Sequence, residues 1–221
     1  MELLTAIVVV SLIIILVIGR SVRAAKKRTA ALEQIARTRG YDFTSKSETD
    51  APPSGSELML FSAGHSRSIN NILHKSSVDR EEWIFDYTYT TGHGKNRSVH
   101  RQTVFMFYSG RLRLTKFVLK PEHFFHKIGQ IFGYQDIDLE FFPEFSNKFL
   151  LRGKDEESIR KLFDQQVVSC FEQQKNICAE GFENTLIVYW HKNRIKPDMV
   201  FERYHEAIRI HGAFVQKSQF V

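Results

Sequence analysis

The chain has 221 residues, 43% hydrophobic and 25% charged, a balance that suits one folded domain with an appendage and excludes a disordered chain. Two cysteines exclude a disulfide-dense scaffold and a four-cysteine zinc site. The net charge of +6 is local: residues 20–39 carry seven basic groups against Glu33, whereas residues 40–221 hold 24 basic and 23 acidic groups, so no nucleic-acid partner is expected.

Leu3 to Gly19 reads LLTAIVVVSLIIILVIG, with Thr5 and Ser11 as its polar groups and no charge. As a helix it extends roughly 25 Å, at the short end of what crosses a bilayer. Arg20 and Arg23 can snorkel to cover the difference. A cleaved signal peptide wants positive charge before its apolar stretch and a small-residue site after it. Here the chain opens Met-Glu, and Ala24 and Ala25 sit inside the basic cluster, so a retained anchor is expected. Basic residues stay on the cytoplasmic side of a span. The expectation is therefore a single-pass protein, N-terminus out, with residues 20–221 in the cytoplasm. Its partner is the lipid bilayer through residues 3–19. Arg20, Arg23, Lys26, Lys27 and Arg28 are placed at the membrane surface, where anionic headgroups attract them.

Residues 23–39 contain strong helix formers and end at Gly40, predicting a basic juxtamembrane helix. Tyr41 to Gly55 is polar, with Pro52 and Pro53, and reads as a linker. Short apolar runs at Leu58–Phe61 and Ile69–His74 read as strands. In Glu82–Tyr89, Trp83, Phe85, Tyr87 and Tyr89 share one face at period two. A turn around Gly92 and Gly94 returns the chain as a central strand over Val99–Tyr108. Leu112–Leu119 is expected to be the third strand of a meander.

Pro121 suits a first helical position, and Phe124, Phe125, Ile128, Ile131 and Phe132 make a stripe that ends at Gly133. Asp136–Phe142 and Phe149–Leu151 read as extended. A longer helix follows from Asp155 through Phe171, then strands at Ile177–Ala179 and Thr185–Trp190 about a turn at Gly181. A last helix opens at Pro197. The predicted fold is α+β: one N-terminal transmembrane helix, then an antiparallel sheet packed with about three amphipathic helices. The helix Phe stripes and the Trp83–Tyr89 face are expected to meet in one core. The domain plan is an anchor at 1–19, a basic helix and linker at 20–55, and a globular domain at 56–221.

His123 and His126 form an H-x-x-H pair that one helix face could present to a metal ion, with His100 or Glu122 as a third ligand; they also border a Phe core stripe. His205 and His211 are six apart, the wrong spacing for a zinc helix, and read as surface or flanking groups. Gly92-x-Gly94-Lys95 lacks the spacing of a phosphate loop and reads as a hairpin. Asp136, Asp138 and Glu140 alternate, so a strand puts three carboxylates on one face; such a row can hold Mg²⁺ or Ca²⁺, and more often is the solvated side of an edge strand, the reading favoured here. Cys170 falls on an apolar helix stripe, an inert position. No cofactor is specified.

The stretches Phe85 through Asn96, Gln102-Thr103-Val104, Lys120-Pro121-Glu122 and Gly133 through Asp138 complete the pattern, with Pro143-Glu-Phe-Ser and Leu151-Arg-Gly beyond them. Together with the N-terminal apolar segment, the sequence resembles a family of uncharacterised bacterial proteins with one N-terminal anchor. The resemblance covers most of residues 55–165. It implies a bacterial inner-membrane setting and supplies no catalytic residues. The expected role is a membrane-tethered cytosolic binding or scaffold module with a protein partner. Two alternatives stand beside it. One is a membrane-anchored metal-dependent hydrolase using His123 and His126, with Asp136 or Asp138. The other is a small-ligand sensor whose aromatic pocket is built from Trp83, Tyr87 and Tyr89.

Overall fold

A computed structural model of the chain describes residues 2–49, 52, 57–123 and 135–218. It opens with α1, Glu2–Arg39, a single unbroken helix of 38 residues. The expected span and the expected juxtamembrane helix are thus one element. Neither Pro nor a helix-breaking turn separates them, so the hydrogen-bond ladder runs through. The helix stops as expected at Gly40, whose φ of +69° is left-handed. Tyr41 N–H donates to Ala36 O and Gly40 N–H to Arg37 O, which satisfies the last carbonyls.

Among the described residues nine strands follow: β1 Asp42–Lys46, β2 His65–Ser76, β3 Glu81–Thr91, β4 Ser98–Tyr108, β5 Leu114–Pro121, β6 Gln135–Asp136, β7 Phe149–Gly153, β8 Ile177–Glu183 and β9 Thr185–Trp190. They form one sheet in the order β1-β2-β3-β4-β9-β8-β5-β7-β6, with every pairing antiparallel. Interspersed helices are α2 Met59–Ser62, α3 Pro143–Lys148, α4 Glu156–Leu162, α5 Gln165–Glu172 and α6 Val200–Ser218. The α+β class stands; α1, α3, α4, α5 and α6 all contribute to the helical layer, rather than about three helices.

Several local expectations are corrected. Residues 42–46, read as linker, are the edge strand β1 on β2. Leu58–Phe61, read as a strand, enters the one-turn helix α2, because its apolar residues cap a sheet face instead of extending it. β5 does not follow β4 in a meander. It crosses over to pair with β7 and β8, and β9 takes the place beside β4. Pro121 closes β5 opposite Phe149 instead of opening a helix. The stripe from Phe124 to Gly133 lies outside the described residues. The helix expected from Asp155 to Phe171 is broken at Phe163. Asp164 starts α5 afresh, its carboxylate accepting from Gln166 N–H and Val167 N–H at 3.0 Å each. Gly181 lies within β8, and the chain reverses at Asn184.

The largest correction concerns the core. Alternate strand residues point to opposite faces, so each register row belongs to one side. Leu73, Ile84, Phe105, Val188, Ala179, Leu119 and Leu151 form one row across the sheet, facing the helices. There Phe117 packs on Phe163 and Phe214, at ring distances of 5.1 and 5.3 Å. Trp83, Phe85, Tyr87 and Tyr89 lie on the reverse face with Val104, Met106, Ile187 and Tyr189. Leu58, Leu60 and Phe61 of the α2 region cover them. The fold therefore has two cores separated by the sheet, not one.

Candidate functional site

The apolar end of α1 stands out from the body. Ile7, Val9, Val10 and Leu12 to Ile18 are each more than half exposed, and this stretch is long and apolar enough to cross a membrane. Exposed Val and Ile at this density are unfavourable in water, which marks the segment as a candidate membrane span. The basic residues Arg20, Arg23, Lys26 and Lys27 follow, all exposed.

Arg28 is different, and its assignment to the membrane surface is corrected. Its side chain is 9% exposed. Nε donates to Asp86 Oδ2 and Nη2 to Asp86 Oδ1, both at 2.7 Å, a bidentate ion pair. Nη1 donates to Ile195 O at 2.6 Å. Thr103 Oγ1 donates to Asp86 Oδ1, and Asn71 Nδ2 donates to Oδ2. Thr29 Oγ1 in turn donates to Asn71 Oδ1. Every oxygen of the buried carboxylate is thus satisfied, which burial demands. Asn71 occupies the bulge in β2 with φ of +52°, which turns its amide toward α1.

Two further turns of α1 complete the dock. Leu32 and Ala36 are buried in the helix-side core. Beyond Gly40, Tyr41 donates its hydroxyl to Glu82 Oε1 at 2.6 Å, and Tyr204 on α6 donates to Glu82 Oε2 at 2.8 Å. Arg80 Nε also reaches Glu82 Oε2, at 3.1 Å. Desolvation, then the Glu82 carboxylate, pushes the Tyr41 hydroxyl far above its ordinary pKa, so it stays a donor. The domain therefore begins at about Arg28. The planned boundary at residue 56 leaves out part of its core.

The residues singled out for chemistry are dispersed. His123 is exposed, and its Nε2 lies 3.1 Å from Asn176 Oδ1 beside an open depression of about 610 Å³. His126 lies outside the described residues. His100 is buried, with Nε2 2.7 Å from Thr91 Oγ1 and its ring stacked on Tyr89; desolvation and Lys192 hold its pKa below the usual value. Asp136 is ion-paired with Arg152. The carboxylate row does not form, because β6 ends at Asp136. No three His, Cys, Asp or Glu side chains converge as a metal site among the described residues. Gly92 and Gly94 carry a hairpin turn, as expected. His211, read as a surface or flanking group, is a core residue against Phe107 at 5.0 Å. Trp83, Tyr87 and Tyr89 are buried, and Phe61 fills the face beside Tyr87 at 5.3 Å.

Sequence reasoning missed Glu180, which is fully buried on the reverse face. It accepts Leu60 N–H and Tyr189 O–H at 2.9 Å each, and so pins α2 to the sheet. It missed Asp86 too, although one acid inside an aromatic strand is a signal. For Arg28, the signal was its spacing: with Leu32 and Ala36 it recurs every four residues on one helix face.

No protein-family model matches the chain, and no curated protein matches it in sequence. A solved structure similar in fold is the mycobacterial trehalose monomycolate transport factor A, TtfA. The TM-score is 0.60 at 12% identity, covering 88% of this chain and 94% of that one. A likeness at that identity concerns the fold.

One helix carries an exposed apolar half and a half that is integral to the domain core. The ion pair sits at the start of the buried half, beyond the exposed basic residues 20–27.

Proposed function

We propose that the protein is a membrane-tethered, non-enzymatic binding or scaffold module, inserted in a bacterial inner membrane with its N-terminus out and its body in the cytoplasm. The observation that carries this reading is the continuity of α1 from its exposed apolar residues into the buried Arg28–Asp86 pair. A flexible linker would let a tethered body tumble. An unbroken helix locked to the sheet holds the body at a set distance and rotation above the bilayer. That geometry suits a part that presents one face to a protein partner in the same membrane. The basic flank after the apolar stretch supports the orientation. The name of the structural neighbour, a transport factor, supports an accessory role.

Carbonate extraction and C-terminal reporter fusions test this together. The full chain is expected in the extracted membrane pellet, with a C-terminal fluorescent protein bright and a C-terminal alkaline phosphatase inactive. A mature chain lacking residues 1–19 in a soluble extracytoplasmic fraction would overturn it. In vivo photo-crosslinking from the body is expected to trap a membrane-protein partner.

A further inference from the structure

The near-neutral body conceals a basic end. Tyr41 binds Glu82 and Arg28 binds Asp86, so passing along α1 toward its apolar half also passes along β3 from residue 82 to 86. Continuing in that sense, β3 ends at Thr91 and turns through Gly92–Arg97 into β4. From Asp86 to Thr91 the strand advances roughly 17 Å, at about 3.4 Å per residue. From Arg28 to Gly19 the helix advances about 14 Å. The hairpin tip thus lies toward the same end of the body as the apolar segment.

That tip bears Lys95 and Arg97, with Arg101 just below, all exposed. The loop after β9 runs alongside: Thr103 N–H donates to Asn193 O and Lys192 N–H to Gln102 Oε1. It carries exposed Lys192, Arg194 and Lys196 at the level of Arg28, deeper in the body than the tip. Arg194 has Arg28 and Arg101 as charged neighbours; desolvation and those two charges lower its pKa, against the pull of Asp86. No acidic residue occurs between Asp86 and Glu122, nor between Glu183 and Asp198. Val99, half-apolar cover of the tip, is 38% exposed. The β2–β3 turn at the other end of the strands is mixed in charge, with Asp79, Arg80 and Glu81.

We propose that the β3–β4 hairpin forms a second membrane contact, which seats on the anionic lipid headgroups of the bilayer that α1 enters. This rests on the tethering reading above and deepens it. The span sets the height of the body. The hairpin, with Lys95 and Arg97, then adds its cations to those of the basic flank of α1 against one negative surface. Charge complementarity falls off within a Debye length, so the contact forms only because the helix holds the hairpin at the interface.

The test uses the full chain in vesicles of phosphatidylcholine alone or mixed with phosphatidylglycerol. A nitroxide is attached at Asn96→Cys, and a control nitroxide at Val78→Cys on the opposite end. On anionic vesicles the label at 96 is expected to lose several-fold in accessibility to a water-soluble relaxation agent. The label at 78 stays in water on both. High salt, or Lys95→Glu with Arg97→Glu, is expected to abolish the difference while flotation and melting temperature hold. If the chain floats with the vesicles and the label at 96 is equally water-exposed on both, the proposal falls, and the basic end belongs to an acidic protein or a nucleic acid. If the chain fails to float on either, the tethering reading falls and takes this contact with it.

Discussion

Arg28 and Asp86 lie 58 positions apart in the chain and meet through two hydrogen bonds of 2.7 Å, joining α1 to the middle of strand β3. Removing one partner leaves the other charge buried and unpaired. Arg28→Ala or Asp86→Ala is expected to cost about 3 to 5 kcal/mol. Arg28→Lys recovers little, since an ammonium cannot make the forked contact. The pair Arg28→Met with Asp86→Leu is expected to be far more stable than either single change. Chemical denaturation of the full chain in detergent measures all four.

The same pair sets where the domain can be cut. A fragment of residues 40–221 lacks Arg28, Leu32 and Ala36, and is expected to be insoluble or molten. A fragment of residues 20–221 is expected to fold. Dispersion of amide resonances distinguishes the two outcomes.

Glu82 has Tyr41, Tyr204 and Arg80 as donors and is almost fully buried. Tyr41→Phe and Tyr204→Phe are each expected to cost about 1 to 3 kcal/mol, as hydrogen bonds to a charged acceptor do. Desolvation raises the hydroxyl pKa of Tyr41, Tyr204 and Tyr189 alike, with the neighbouring carboxylates adding to it. In a spectrophotometric titration these three are expected to ionise only as the protein unfolds.

His211 is buried, with Nε2 unpaired. Burial, aided by Arg80 and Arg111 and opposed by Glu82, pushes it down to about 4 from an ordinary 6.5. The unfolded chain binds the proton first, so stability is complete above pH 6.5 and declines as pH falls toward 4. The loss is expected to reach roughly 3 kcal/mol, at 1.36 kcal/mol per unit. His211→Phe, which keeps the ring against Phe107, is expected to flatten that slope in melts recorded across the range.

Cys178 is enclosed, and burial pushes its thiol up to about 12; burial raises Cys170 as well. Both are expected to resist alkylation at neutral pH until denaturant is added. Mass spectrometry of iodoacetamide-treated protein reads this directly.

The sequence by itself determined the apolar segment, its basic flank, the α+β class and the strands from Ile69 to Tyr108, because each of these is written in local periodicity or local charge. The helical stop at Gly40 was legible for the same reason. Tertiary structure alone decided that Arg28 is a buried clamp while its neighbours Lys26 and Lys27 remain in solvent, since the difference lies in an acid 58 residues away. It likewise decided that β9 separates β4 from β5, and that the Trp83–Tyr89 face and the Phe-rich helices occupy opposite sides of the sheet. Period-two alternation shows that a strand has two faces. Which face meets which layer is settled by strand order and register, and those arise from contacts between segments that no local window contains.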